Sequence, residues 1–336
     1  MRWFIAALIV FALVFGGVAS AVTIETVPVG NPGNAPDTRY DATGVGSVDY
    51  TYRIGNYEVT NGQYIEFLNA VAAVGDPNNL YNTNMFSGTW GGIGRSGLGI
   101  PPNPWVYAAK GYDNNWLLRP VNYVSWYDAL RFVNWLENAQ PTGDQTDSTT
   151  EDGVYDMDGA LTRKAGSTFF LPTEDEWYKA AYHKNDGITG NYWDYPTASM
   201  WFPTAEAPPG TDMTYGSANY QPGSGGFVDN TYGTTPVGAY TARPSTSPYG
   251  TFDQGGNLWE WNETVVNNIC PVRGGAFNFD SGQLYADSPW GVAPADEYFW
   301  TGFRVASSGA VPEPSTLFLL LLGAAGLSAY ARRRRR

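Results

Sequence analysis

The sequence predicts an α+β fold, irregular and loop-rich, with about three main helices and short antiparallel strands. Three observations point there. Aromatic residues make up 15% of the chain and stand beside 40 glycines and 23 prolines, a composition for rings packed among loops, not for a helix bundle. Thr60, Ser125 and Thr173 each precede an apolar stripe and have a Gln, Asp or Glu three positions on, the signature of a capped helix start. The remaining apolar runs are short, alternate with polar residues and end at Gly, Pro or Asn, as strands do.

The chain opens on Met1-Arg2, an apolar run from Trp3 to Val18, and Ala19-Ser20-Ala21. A basic start, a short apolar core and an A-x-A site make residues 1–21 a secretory signal peptide cut after Ala21. Residues 22–47 read as a strand, over 22–27, and a loop packed on the domain that follows. Tyr50 to Ile54 alternates again.

The first helix starts at Thr60-Asn61-Gly62-Gln63, and Tyr64, Phe67, Leu68 and Val71 make its buried stripe. Residues 76–118 are loop-like, a length that implies function or short strands. Arg119 to Val124 reads as a strand. Ser125 caps the second helix, with Trp126, Ala129, Leu130, Val133 and Leu136 inward. The acidic Asp156-Met157-Asp158-Gly159 lacks the spaced ligands of an EF-hand and reads as a surface loop. Phe169 to Leu171 is a strand. Thr173 caps the third helix, with Trp177, Ala180 and Ala181 inward. Residues 187–251 are aromatic, glycine-rich loops. No repeat of fixed period is present, which excludes a solenoid or propeller.

Function classes narrow by composition. The formal net charge is −13 and five of the 19 basic residues are the terminal Arg332 to Arg336, so nucleic acid is not a partner. Cys270 is the single cysteine, so no intrachain disulfide or multi-cysteine zinc site forms. Its simplest reading is a small buried residue. The single histidine, His183, reads as a solvated helix-end residue. The densest stretch is Phe252 to Trp261, where Gly255-Gly256 turns the chain and Asn257 and Glu260 offer hard oxygens of the kind calcium takes, with a buried aromatic turn of satisfied polar groups as the alternative reading. Trp259 and Trp261 would share one face of an extended strand.

At the C-terminus, Val311-Pro312-Glu313-Pro314 precedes an apolar segment of about 17 residues, near the lower limit of a span, and the arginine cluster. The three parts together resemble the PEP-CTERM sorting signal of exopolysaccharide-making Gram-negative bacteria. That resemblance implies processing by an exosortase, transient inner-membrane contact through residues 307–336, and delivery to the cell surface or extracellular matrix.

Several segments in order carry a second resemblance: Tyr57 to Tyr64, Pro120 to Trp126, Leu171 to Trp177, Thr235-Pro236-Val237-Gly238, Gly256 to Trp261, Arg273-Gly274-Gly275 and Gly302-Phe303-Arg304. Residues 48–306 resemble the formylglycine-generating enzyme, or sulfatase-modifying factor, domain family. The resemblance implies an irregular C-type-lectin-like fold with bound calcium. It places Asn257 and Glu260 as side-chain ligands and Leu258 as a carbonyl ligand, with Asn191 and Asp194 in the region of a second site. Active relatives hold copper(I) between two cysteines after the Gly-Gly pair, because soft thiolates select that ion. Residues 276–287 contain no cysteine, and one histidine cannot build the three-histidine iron site of related enzymes. Copper is therefore not expected. The resulting expectation is a non-catalytic, calcium-stabilised domain that binds a glycan or a surface protein through loops 76–118 and 278–300. Tyr285, Trp290, Tyr298 and Trp300 are the candidate contact residues, with ordinary core as their alternative reading. A formylglycine-generating oxidoreductase or relative with altered chemistry, and a purely structural matrix protein, are the other functions the chain allows.

Overall fold

A computed structural model describes residues 21–159, 161–223, 225–242 and 245–309. Most of the signal-peptide reading and the whole Val311–Pro314 motif with its apolar segment lie outside the described residues. No helix among the described residues is long and apolar enough to cross a membrane.

All three capping boxes close. Thr60 Oγ1 accepts from Gln63 N at 3.2 Å, and Gln63 Oε1 accepts from Thr60 N at 2.9 Å. Ser125 and Asp128 make the same reciprocal pair at 3.1 and 2.8 Å, and Thr173 and Glu176 at 3.1 and 2.7 Å. Each cap satisfies amides that a helix start otherwise leaves open, worth about 1 kcal/mol.

In chain order the elements are β1 (Thr26–Val29), β2 (Tyr52–Gly55), α1 (Asn61–Val71), α2 (Asn84–Ser87), β3 (Ile93–Ser96), β4 (Val106–Ala109), α3 (Trp126–Glu137), β5 (Phe169–Phe170), α4 (Glu174–Tyr182), β6 (Thr204–Ala205), β7 (Ser217–Ala218), β8 (Trp259–Trp261), β9 (Cys270–Arg273), β10 (Trp290–Val292), β11 (Thr301–Phe303) and β12 (Ala306–Ser307). One sheet runs β1-β2-β12-β5 and a second β10-β9-β8-β11. Most pairs are antiparallel, but β8–β11 and β6–β7 run parallel. The parallel pair sets Glu260 opposite Gly302, which leaves Arg304 one residue past the strand end and close to Glu260.

The core sits between α1, α3 and the sheets. Phe67 meets Phe132 and Trp135 with ring centroids at 5.4 and 5.3 Å. The expected inward residues of all three helices are buried, and α3 and α4 bury nearly every face, adding Phe132, Trp135, Tyr178 and Tyr182.

Four expectations change. The first strand runs over Thr26–Val29, not 22–27, because β2 offers it partners only from Tyr52 to Gly55. Arg119 to Val124 is not a strand: Val121 N donates to Val59 O and Thr60 bridges Pro120, but Tyr123 takes φ 57° and breaks the extended run. The 76–118 segment is not bare loop, since it holds α2 and the β3–β4 hairpin. His183 does end α4, but it is fully buried, not solvated. Its Nδ1 accepts from the Tyr249 hydroxyl at 2.8 Å and from Asn185 N at 3.2 Å, which leaves Nε2–H to donate to Thr189 O at 3.1 Å.

Candidate functional site

The Gly255–Trp261 turn is stitched on three sides. Gly256 adopts φ 90°, and a Cβ there would lie 2.3 Å from Asn219 O, so only glycine fits. Gly256 N donates to Gly274 O, Asn257 N to Asn219 O, and Phe277 N to Asn257 O. The turn therefore binds the Arg273-Gly274-Gly275 segment and the Asn219 loop into one block beneath β8.

The side chains expected to ligate calcium have protein partners. Asn257 Oδ1 accepts from Thr235 N at 2.9 Å and from Asn219 Nδ2 at 3.1 Å. Glu260, fully buried, accepts from Arg304 Nε at 2.5 Å, Arg304 Nη2 at 2.6 Å and Trp177 Nε1 at 2.7 Å. Buried oxygens without a donor stand next to both. Asn219 Oδ1 is one, beside Asn257, and both carboxyl oxygens of Glu58, near Glu260, are the others. Burial, with the Asp253 and Glu260 charges behind it, raises the Glu58 carboxyl well above the usual carboxylate range. Burial also lifts Asp253 to about 6, although its Oδ2 accepts from Gly238 N at 2.7 Å. Glu58, beside Asp253 and Glu260, offers hard, donor-free oxygens of the kind a hard cation takes, and Asn219 Oδ1 offers one beside Asn257. Among the described residues no three His, Cys, Asp or Glu side chains form a metal cage by themselves, so main-chain oxygens or water would complete such a site.

The residues read as a second calcium region are engaged apart from each other. Asn191 Nδ2 donates to Asp186 Oδ2 at 2.8 Å. Asp194 Oδ1 accepts from Arg39 Nη1 and from the Tyr40 hydroxyl, each at 2.7 Å.

The aromatic candidates divide. Trp290, Tyr298 and Trp300 form one shelf through Phe279. The Tyr298 and Trp300 rings stack at 4.5 Å and 7°, Phe279 stands edge-on to Trp300 at 5.6 Å, and Trp290 lies 6.1 Å from Phe279. Trp259 of the turn supports the shelf from below, 5.7 Å from Phe279 and 6.3 Å from Trp290, with its buried Nε1 unpartnered. Trp290 is 46% and Tyr298 38% exposed, so ring faces reach solvent. Tyr285 is elsewhere, edge-on to Tyr195 and bonded through its hydroxyl to Tyr40. Sequence reasoning missed Phe279, the residue that joins the shelf, and a second exposed aromatic group of Trp201, Phe202 and Tyr215 around a hollow of about 240 Å³. The latter lies in loops with no periodicity to betray it.

Cys270 is buried in β9 opposite Val292, and burial pushes its thiol up to about 12, so it is a neutral core residue near pH 7. The segment after Gly275 places Phe279, a ring, where the chain leaves the glycine turn.

A family model described as the sulfatase-modifying factor enzyme 1-like domain matches residues 29–308. A second model, the PEP-CTERM protein-sorting motif, matches residues 310–336. No curated protein matches. Among solved structures, CarF superposes with a TM-score of 0.51 at 19% identity, covering 86% of this chain and 99% of that one. The Treponema denticola variable protein 1 gives 0.46 at 17%, covering 86% and 99%. PvdO from Pseudomonas aeruginosa gives 0.45 at 16%, covering 86% and 93%. At these identities the CarF likeness speaks for the fold alone.

Proposed function

We propose, for a chain that belongs to the sulfatase-modifying factor enzyme 1-like family and carries a PEP-CTERM sorting motif, the role of an exported, non-catalytic glycan-binding domain. The motif implies exosortase processing and export to the cell envelope. The domain would then be displayed at the surface or in the exopolysaccharide matrix.

One observation supports the binding role above the others: the solvent-facing shelf of Trp290, Tyr298 and Trp300 on Phe279. Flat ring faces suit the apolar face of a sugar ring, and the polar neighbours supply hydroxyl partners. Asp296 stands at the edge of the shelf, accepting from the Tyr298 hydroxyl at 3.1 Å. A rigid base holds the rings in place, since Trp259 is fully buried on β8 and its main-chain N–H donates to Trp300 O. Binding side chains on loops over a fixed frame are what such a scaffold offers.

The same reading leaves formylglycine chemistry aside, because that reaction needs a thiolate pair to hold copper(I) and this chain has one cysteine, buried and protonated. Calcium remains part of the proposal as a structural ion. Glu58 would hold it beside the Glu260–Arg304 pair, neutralising acid that Arg304 alone leaves in excess. An immobilised array of matrix polysaccharides and surface proteins tests the role. Retention on one glycan class is expected, and retention on proteins alone, or on nothing, would overturn it.

A further inference from the structure

We propose that leader removal between Ala21 and Val22 creates an amino terminus that this domain is built to hold, with the Val22 α-ammonium seated on Gln140 at the carboxyl end of α3. The main-chain N of Val22 lies 2.6 Å from Gln140 Oε1, and Gln140 Nε2 donates back to Val22 O at 2.8 Å. One carboxamide thus reads both polar groups of a single residue, as a neighbouring strand would. Gln63 Nε2 fastens the next residue through Thr23 O at 3.0 Å. The Val22 side chain is buried while Ala21 is exposed, so the step from free to held chain falls at this one bond.

Gln140 reaches its position at some cost to the backbone. Ala139 and Gln140 take φ of 63° and 59°, left-handed values that residues with a Cβ seldom adopt. That conformation turns the Gln140 side chain toward Val22 while its N–H still caps α3 by donating to Trp135 O. The seat suits a cation. A helix carboxyl end carries partial negative charge. The adjoining groove, of about 680 Å³, is lined by Glu25 and Glu137. Arg53, also lining it, is turned onto Thr26 Oγ1 and O.

The processing step is hydrolysis of the Ala21–Val22 amide by a peptidase of the small-x-small class. Water supplies the hydroxyl to the Ala21 carboxyl, which leaves with the leader. The freed amine of Val22 takes up a proton and gains donors that a peptide N–H lacks.

The test uses the full chain, secreted by a Gram-negative host. The amino-terminal peptide, read by mass spectrometry, is expected to begin at Val22; any other start, or a retained leader, would overturn the proposal. The α-amine of the secreted protein is then labelled with an amine-terminus-selective aldehyde at neutral pH. Labelling is expected to be roughly tenfold slower than in the Gln140→Ala variant, as for a group reached only by local opening. Equal rates would overturn the seat. If Gln140→Ala does not fold, Gln140→Glu, which keeps an acceptor for the ammonium, is expected to label as slowly as the parent, and unprotected labelling of that folded variant counts equally against it.

Discussion

Glu260 and Arg304, both fully buried, meet in a two-point ion pair, with Arg304 Nε and Nη2 at 2.5 and 2.6 Å from the two carboxylate oxygens. Arg304 also donates to Gly55 O and Phe252 O, each at 3.0 Å, so one guanidinium ties β8, the end of β2 and the glycine turn together. Removing one partner of such a pair strands the other charge in the core, at about 3–5 kcal/mol. Arg304→Met is therefore expected to lower the unfolding free energy by that much. Urea titration checks it, and a loss under about 1 kcal/mol would show that the pair is solvated.

The pair was only half legible beforehand. Gly302-Phe303-Arg304 and Gly256 to Trp261 stood out as motifs, but their contact depends on the parallel β8–β11 register, which no local pattern announces. The capping boxes were legible because every atom they use lies within four residues. The 119–124 strand failed because Tyr123 takes a left-handed angle that its side chain gives no hint of. His183 was misread as solvated because the residue that covers it, Tyr249, is 66 positions away. The same limit hid Glu58. Its place in Tyr57-Glu58-Val59 was visible, whereas its lack of partners is a property of the packed core.

His183 gives a pH prediction with a definite sign. Burial lowers its pKa below the ordinary histidine value, and Nδ1 accepts two hydrogen bonds that only the neutral ring can take. A depressed histidine contributes stability that is present above its unfolded pKa and lost as pH falls through the folded value. Asp253, raised to about 6, acts in the opposite sense over part of the same range. The difference in melting temperature between the parent and His183→Gln isolates the histidine. That difference is expected to shrink as pH falls from about 7 to 5, and a constant difference would contradict the assignment.

Cys270 should behave as a core atom group. Its thiol is buried and held up at about 12, so the thiolate that reacts with alkylating agents is scarce. Native protein is expected to resist iodoacetamide at pH 8 and to react fully once unfolded. Cys270→Ala should cost about 1 kcal/mol or less and leave glycan retention unchanged. Fast native alkylation, or aldehyde formation on a Cys-x-Pro-x-Arg peptide with copper supplied, would reopen the catalytic reading.

Calcium can be separated from the Glu260–Arg304 pair by acting on Glu58. If Glu58 holds an ion, calcium added to metal-stripped protein stabilises by mass action, about 2.7 kcal/mol at a hundredfold excess over Kd. The gain is expected to vanish in Glu58→Gln. Glu58→Gln alone should fold, because it also removes a buried acid whose two oxygens lack partners. A melting temperature indifferent to calcium in the parent would mean that Glu58 stays protonated and the pocket holds no ion.

The aromatic shelf carries the functional claim, and its geometry separates binding from folding. Trp290 is nearly half exposed, and its ring meets the core through tilted contacts at 6.1 Å to Phe279 and 6.3 Å to Trp259. Trp290→Ala should therefore leave the melting temperature close to the parent's. Trp300 is half-buried and stacked on Tyr298, so its loss costs more of the fold and Trp300→Phe is the better substitution. Losing one ring face from a sugar site removes about 1.4 kcal/mol, a tenfold weakening. Tyr285 provides the control. It belongs to the same 278–300 segment but contacts Tyr40 and Tyr195, away from the shelf. Glycan affinity measured by calorimetry is expected to fall about tenfold in Trp290→Ala and Trp300→Phe and to hold in Tyr285→Phe. Equal losses in all three would point to a general loosening of the loop, and undiminished affinity in the two tryptophan variants would move the binding surface off this shelf altogether.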